Sequence, residues 1–157
     1  MKIIGITGTL GAGKGTVVDY LTGKGFSHYS ARAFITEEIK SRGLLVNRDT
    51  MTEVANDLRA RNQSSSFIVE TLMKRAIESG HDAVVESVRT VGEADAIKAA
   101  GGILIAVDAN PRERYDRITL RQSETDNVTF EKFIADEERE STSTDPTKQN
   151  LKRVREL

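Results

Sequence analysis

The chain contains no cysteine. Disulfides, thiolate-bound metals and cysteine nucleophiles are therefore excluded, and with them any zinc deaminase chemistry built on cysteine ligands. An excess of either charge is also missing: 23 Lys and Arg stand against 24 Asp and Glu, a formal net charge of -1. Nothing in that balance draws the whole molecule to nucleic acid or to a membrane, so neither partner is expected, and an anionic ligand must be held by a local cluster of cations. Long apolar runs are absent too. The opening MKIIGITGTLGAG has one Lys and a brief apolar run broken by glycine, too short for a signal segment, and no stretch approaches the ~20 apolar residues of a membrane span. The expected compartment is the cytoplasm. His28 and His81 each stand alone, without ligand partners at metal spacing, and both read as structural.

What is present reads as one domain over residues 1–157, with strands and helices in alternation. KIIGIT (Lys2–Thr7) is short, β-branched and apolar, the pattern of a buried parallel strand. A glycine-rich loop follows, then a helix from Lys14 with Val17, Val18 and Leu21 inward and Gly23 or Gly25 as its stop. FSHYS is a short second strand, and the chain from Ala31 to Ser79 is helical in three pieces. DAVVES (Asp82–Ser87) is the next strand, and Thr90 with Glu93 forms a capping box for the helix after it. GILIAVDA is a further strand; Asn110 and Pro111 start a helix that runs to about Arg121. A polar loop, QSETDNVT, leads to the helix FEKFIADEERES, and Asp145-Pro146 is read as the start of a last helical piece. This order predicts an α/β fold with a parallel sheet covered on both faces.

The stretch GTLGAGKGT (Gly8–Thr16) carries the chemistry. A strand ending in a glycine turn that opens a helix aims several backbone N–H groups, and the positive end of a helix dipole, at one point. Glycine lets the backbone turn left-handed and approach a phosphate closely. Gly8, Gly13 and Lys14 fit the spacing G-x-x-x-x-G-K-[ST], but Gly15 takes the hydroxyl position and Thr16 comes one residue late. Lys14 is placed to reach β- and γ-phosphates.

G-x-x-G-x-G-K-G-T resembles the loop of adenylate kinase and its nucleoside monophosphate kinase relatives, in which glycine follows the lysine and threonine comes next. Gly8, Gly11, Gly13, Lys14, Gly15 and Thr16 match it; Leu10 stands where that family often has proline. The whole chain is similar to small kinases related to adenylate and dephospho-coenzyme A kinases, without their closing strand and adenine-binding loop. The resemblance implies a three-layer α/β/α sandwich with the P-loop NTP hydrolase fold, a helical acceptor-binding insertion (31–79) and a short lid (about 117–139). It implies ATP and Mg²⁺ as cofactors. Gly8, Thr9, Leu10, Gly11, Ala12, Gly13, Lys14, Gly15 and Thr16 would cradle the phosphates. Glu86, at a strand end, would join Thr16 in positioning the metal, and Arg89 would grip the acceptor, although the family's Asp-Gly pair is here Glu86-Ser87.

Arg114, Arg117 and Arg121 fall within about 60° of one helix face, and R-x-x-x-R at Arg117 and Arg121 resembles the helix leading into the family's lid. Both would neutralise transition-state charge beside Lys14 and Arg89, with Arg139 a weaker substrate-binding candidate from the far side of the lid. The family's S-x-G-D-x-x-R acceptor motif is only partly matched: Ser30-Ala31-Arg32-Ala33-Phe34-Ile35-Thr36 lacks the Asp and the second Arg, leaving Arg32 as a substitute cation. The expected activity is ATP-dependent transfer of a γ-phosphoryl group to a small nucleotide or nucleotide-like acceptor. The alternatives are a nucleotide-binding regulatory module without transfer and a dephospho-coenzyme A-type metabolite kinase.

Overall fold

A computed structural model describes residues 1–122, 127–146 and 148–157. Residues 123–126, the middle of the expected lid loop, and Thr147 lie outside the described residues. The elements follow the expected order: β1 (Ile3–Gly8), α1 (Lys14–Gly23), β2 (Ser27–Ser30), α2 (Ala31–Ser41), α3 (Arg48–Arg61), α4 (Phe67–Ser79), β3 (Ala83–Glu86), α5 (Val91–Ala99), β4 (Ile103–Val107), α6 (Pro111–Arg121), α7 (Phe130–Ser141) and α8 (Leu151–Glu156).

The strands pair in parallel in the order β2-β3-β1-β4, which puts β1 and its glycine loop in the middle of the sheet. Parallel pairing needs a crossover between strands, and the helices supply it. Successive side chains of a strand point to opposite faces, so the β1 run IIGI feeds two cores. Ile3 and Val85 join the larger core with Ile35, Ile39, Val54, Ile68, Leu72 and Ile97 from α2 to α5 and Val154 of α8. Ile6 and Val84 face the other way and pack on Val18 of α1, with Val17, Leu21 and Phe26 at the margin. Val18 is the one fully buried apolar side chain of α1, contributing about 2 kcal/mol. So small an anchor means that the turn before it also fixes where this helix starts.

Caps set the remaining boundaries. Ser30 accepts from the Ala33 N–H at the start of α2, and Asn47 with Thr50 forms a capping box for α3. The anticipated Thr90–Glu93 box opens α5, and Asn110 with Pro111 opens α6. The last helix differs from expectation: it starts not at Asp145-Pro146 but after Asn150, whose side chain accepts from the Arg153 N–H. Leu151 and Val154 give α8 an apolar face to bury, whereas residues 145–149 hold no large apolar side chain. No helix among the described residues is long and apolar enough to cross a membrane.

Candidate active site

The glycines of the loop do two different jobs. At Gly8 (φ 141°) a Cβ would lie 2.0 Å from the Val107 carbonyl oxygen, and at Gly11 (φ 77°) 2.6 Å from that of Arg114. These two are needed because β4 and α6 press on the loop backbone. Gly13 and Gly15 are the opposite case: a Cβ at either meets nothing within 4 Å. Gly13 is the N-cap of α1 in a left-handed conformation, with no side chain capping the helix. The start of α1 is therefore open at the positive end of the helix, which suits an anion.

Lys14 is buried at 8% exposure, and its Nζ donates to the carbonyls of Gly8 (3.1 Å) and Thr9 (2.7 Å). An ammonium has three donors, so one remains for a ligand. Burial, reinforced by the nearby Arg89 guanidinium, pushes the Lys14 pKa down to about 7, with Glu86 opposing. Thr9 is buried and turned away from the cleft, its hydroxyl donating to Asp108 at 3.0 Å. Thr16 stands exposed in the first turn of α1.

Glu86 ends β3, and its carboxylate meets His28 Nε2 of β2 at 2.8 Å. His28 therefore has a specific partner beyond the structural role expected of it. Ser87 follows with φ 72°, a left-handed conformation, while its N–H donates to the Ile6 carbonyl at 2.9 Å. A non-glycine residue there carries about 1–2 kcal/mol of strain. Arg89 donates from Nη1 to Gln149 Oε1 at 3.0 Å and lies 3.6 Å from Glu140. Burial pushes its pKa below the ordinary guanidinium value; Glu140 opposes this, and Arg48 and Arg59 add to it.

The α6 arginines separate. Arg114 is 1% exposed and fully engaged, donating to the Ala109 carbonyl (2.8 Å) and to both oxygens of Glu137 (2.6 and 2.8 Å). It ties α6 to α7 and faces no ligand. Arg117 is exposed and donates to the Gly11 carbonyl at 3.1 Å, and Arg121 lies close enough to Lys14 to depress its pKa. Arg139 is not brought to this region: it pairs with Asp49 (3.2 Å) and Asp136 (3.4 Å) on an outer face. The α7 residue that does reach the site is Glu140, buried and bidentate to Arg48 at 3.0 and 3.1 Å. Burial alone would raise the Glu140 pKa, but Arg89 and Arg48 hold it below the usual carboxylate range.

A single cleft of about 350 Å³ collects these groups. Its floor is Leu10 to Thr16, and Arg32, Glu86, Arg89, Arg117 and Arg121 line it, so most of the expected site converges; Gly8, Thr9 and Arg139 do not line it. Arg48, Arg59, Glu140 and Gln149 line it as well and were not anticipated. A signal for two of them was present. Arg48, Thr52, Ala55 and Arg59 recur at helical spacing on one stripe of α3, and all four are buried. Arginines on the face that a helix buries mark a polar interior. Glu140 and Gln149 had no local signal, because their partners lie 92 and 60 residues away.

The residues present suit a nucleotide phosphate chain with its metal. The Gly13–Gly15 cradle is open, Lys14 has a donor to spare, and Thr16 and Glu86 offer oxygen ligands. Among the described residues no three His, Asp or Glu side chains gather to hold a metal, so Mg²⁺ would take most of its ligands from phosphates and water.

Residues 4–144 match the family described as "AAA domain". Curated relatives are UPF0200 proteins. That of Thermococcus kodakarensis is 31% identical over 139 residues, covering 83% of this chain and 74% of the relative. That of Methanococcus vannielii is 26% identical over 143 residues, covering 89% and 77%. Among solved structures, a sugar kinase from Janibacter superposes with TM-score 0.54 at 15% identity, covering 94% of this chain and 82% of that one. TT1252 from Thermus thermophilus superposes at 0.53 and 19% identity, covering 87% and 78%. These likenesses establish the P-loop kinase-like fold. On the match across 4–144 and the 31% identity to the Thermococcus relative, the chain belongs to the AAA domain family and to the UPF0200 proteins.

Proposed function

We propose that the protein is an ATP-dependent phosphotransferase of the adenylate kinase and dephospho-coenzyme A kinase type, moving the γ-phosphoryl group to a small acceptor. The observation that carries this reading is the cleft itself: an open amide cradle with Lys14 at one side and Arg89, Arg117 and Arg121 around the same space. A nucleotide-binding module needs the cradle but not three further guanidiniums beside it. Gly11 to Thr16 and Lys14 bind the phosphates. Thr16 and Glu86 hold Mg²⁺ directly or through water, and the ion supplies charge neutralisation to the phosphate oxygens when bound. His28 orients Glu86.

Transfer breaks the bond between the γ-phosphorus and the β–γ bridging oxygen and forms one to the acceptor oxygen. ADP leaves with the electron pair, and an acceptor hydroxyl gives its proton to water. Lys14, Arg117 and Arg121 stabilise charge on the transferring group, and Arg89 orients the acceptor. The helices of 31–79 receive the acceptor, and the 117–139 segment is a lid that excludes water, all within one unit. The chain works without a nucleic-acid or membrane partner, in the cytoplasm.

The test is a transfer screen with Mg²⁺ and ATP or GTP against nucleoside monophosphates, dephospho-coenzyme A and sugars. ADP or GDP release stimulated by one acceptor class, with a phosphorylated product, supports the reading. Slow hydrolysis indifferent to every acceptor contradicts it.

A further inference from the structure

Two side chains of the cleft have donors that nothing among the described residues uses. Arg48 and Arg59 are 6% and 1% exposed. Arg48 gives Nε and Nη2 to Glu140, and Arg59 gives Nε and Nη2 to Glu93 Oε1 at 3.1 and 2.8 Å. On each, Nη1 is closed off from solvent and makes no hydrogen bond. The Asp136 carboxylate is 3.9 Å from Arg48 Nη1, an ion-pair separation too long for a hydrogen bond. Leaving one such donor unmet is costly, more so on a charged group. Two of them on one helix, in residues that line one cleft, point to a partner from outside the chain.

The surroundings say what kind. Arg89 is joined to this stripe through carboxylates: its Nη1 is 3.6 Å from Glu140, the partner of Arg48, and its backbone N–H donates to Oε2 of Glu93, the partner of Arg59. Glu86 and Glu140 are the only carboxylates among the described lining residues. Glu140 and Glu93 are already committed to Arg48 and Arg59. The wall beside the stripe is aliphatic, built from Ala31, Ile35, Met51 and Ala55. Arg48 and Arg89 thus share the Glu140 carboxylate, and Arg59 has only Oε1 of Glu93, next to a small apolar surface.

We propose that the α3 stripe is a second phosphate subsite, in which the Nη1 donors of Arg48 and Arg59 and the guanidinium of Arg89 bind a phosphate group carried by the acceptor. The acceptor is thus a phosphomonoester with an organic part that rests on aliphatic side chains. Its description as an acceptor rests on the phosphotransferase reading; the anion subsite does not. Helix α3 here supplies the cations that the incomplete Ser30–Thr36 stretch fails to provide.

Calorimetry on the protein saturated with Mg²⁺ and ADP tests this, with inorganic phosphate, AMP and glycerol 3-phosphate as probes, and adenosine and glycerol as their phosphate-free counterparts. The three phosphates bind and the counterparts do not. A higher affinity for AMP than for glycerol 3-phosphate assigns a nucleotide; equal affinities assign the phosphate alone. Arg48→Lys keeps a positive charge beside Glu140 but removes Nη1, and weakens phosphate binding about tenfold or more. Arg59→Gln combined with Glu93→Gln leaves no buried charge unpaired, keeps an acceptor oxygen for the α5 cap, and has the same effect in protein shown folded by far-UV dichroism.

Unchanged phosphate affinity in the folded variants overturns the proposal, as does adenosine binding as tightly as AMP. The titrations are repeated on Lys14→Ala without nucleotide. Phosphate binding there that the α3 changes abolish keeps the subsite even if no transfer is found. Transfer that persists while those changes leave phosphate binding untouched removes the subsite and leaves the phosphotransferase standing.

Discussion

Binding of a nucleotide phosphate chain must draw a proton into the site. In the free protein Lys14 titrates near 7, pushed down first by burial and then by Arg89, from an ordinary 10.5. Phosphates laid against Nζ favour the ammonium and restore a high pKa. At pH 8 the free amine is about 0.9 neutral and the bound one is charged, so about 0.9 proton is taken up per ligand; at pH 6 the figure falls to about 0.1. Affinity drops about tenfold per pH unit above 7. Calorimetry with Mg²⁺ and ADP in two buffers of different ionisation enthalpy reads the uptake directly, and Lys14→Met should abolish both the uptake and this pH dependence. Tight binding at pH 8 without proton uptake would refute the placement of Lys14 against the phosphates. The sign for folding follows from the same shift. Between about 7 and 10.5 the unfolded chain holds the extra proton, so the penalty of burying Lys14 is full below 7 and fades as pH rises.

Arg117→Ala with Arg121→Ala should cut turnover by about 10³-fold or more, as removal of transition-state arginines does, with far less change in ATP affinity; steady-state kinetics set against nucleotide titration separate the two. Gly8→Ala, which drives a Cβ onto the Val107 carbonyl, should lower the melting temperature clearly, whereas Gly15→Ala, which meets only open space, should leave melting near wild type and weaken ADP binding. Ser87→Gly should stabilise the fold by about 1 kcal/mol in urea unfolding, because it relieves a left-handed serine.

Local pattern carried far in this sequence. The strand–glycine loop–helix start and the Thr90–Glu93 and Asn110–Pro111 caps follow from short-range spacing, and the convergence of Glu86 and Arg89 on the loop from the strand end together with the family resemblance. What was missed depends on partners distant in the chain. Arg114 looked like one of three equivalent arginines on α6, and only the position of Glu137 makes it a structural tie. In sequence Arg139 reads as a candidate from the far side of the lid, yet the turn of α7 points Glu140 inward and leaves Arg139 on Asp49. Helix α8 starts late because Asn150 caps it locally, and the bond from the Asn150 N–H to the Arg89 carbonyl, across 61 residues, fixes that position against the rest of the chain. Arg48 and Arg59 were legible in period but not in meaning, since arginines on a buried stripe make sense only once the cleft is seen beside them.

The most direct test of the whole account is a crystal structure of the protein grown with Mg²⁺ and a non-hydrolysable ATP analogue. The account requires the β- and γ-phosphates to lie over the amides of Gly11 to Thr16, with Lys14 Nζ turned from the Gly8 and Thr9 carbonyls toward them. A nucleotide bound elsewhere, or that cradle empty at saturating ligand, would contradict it.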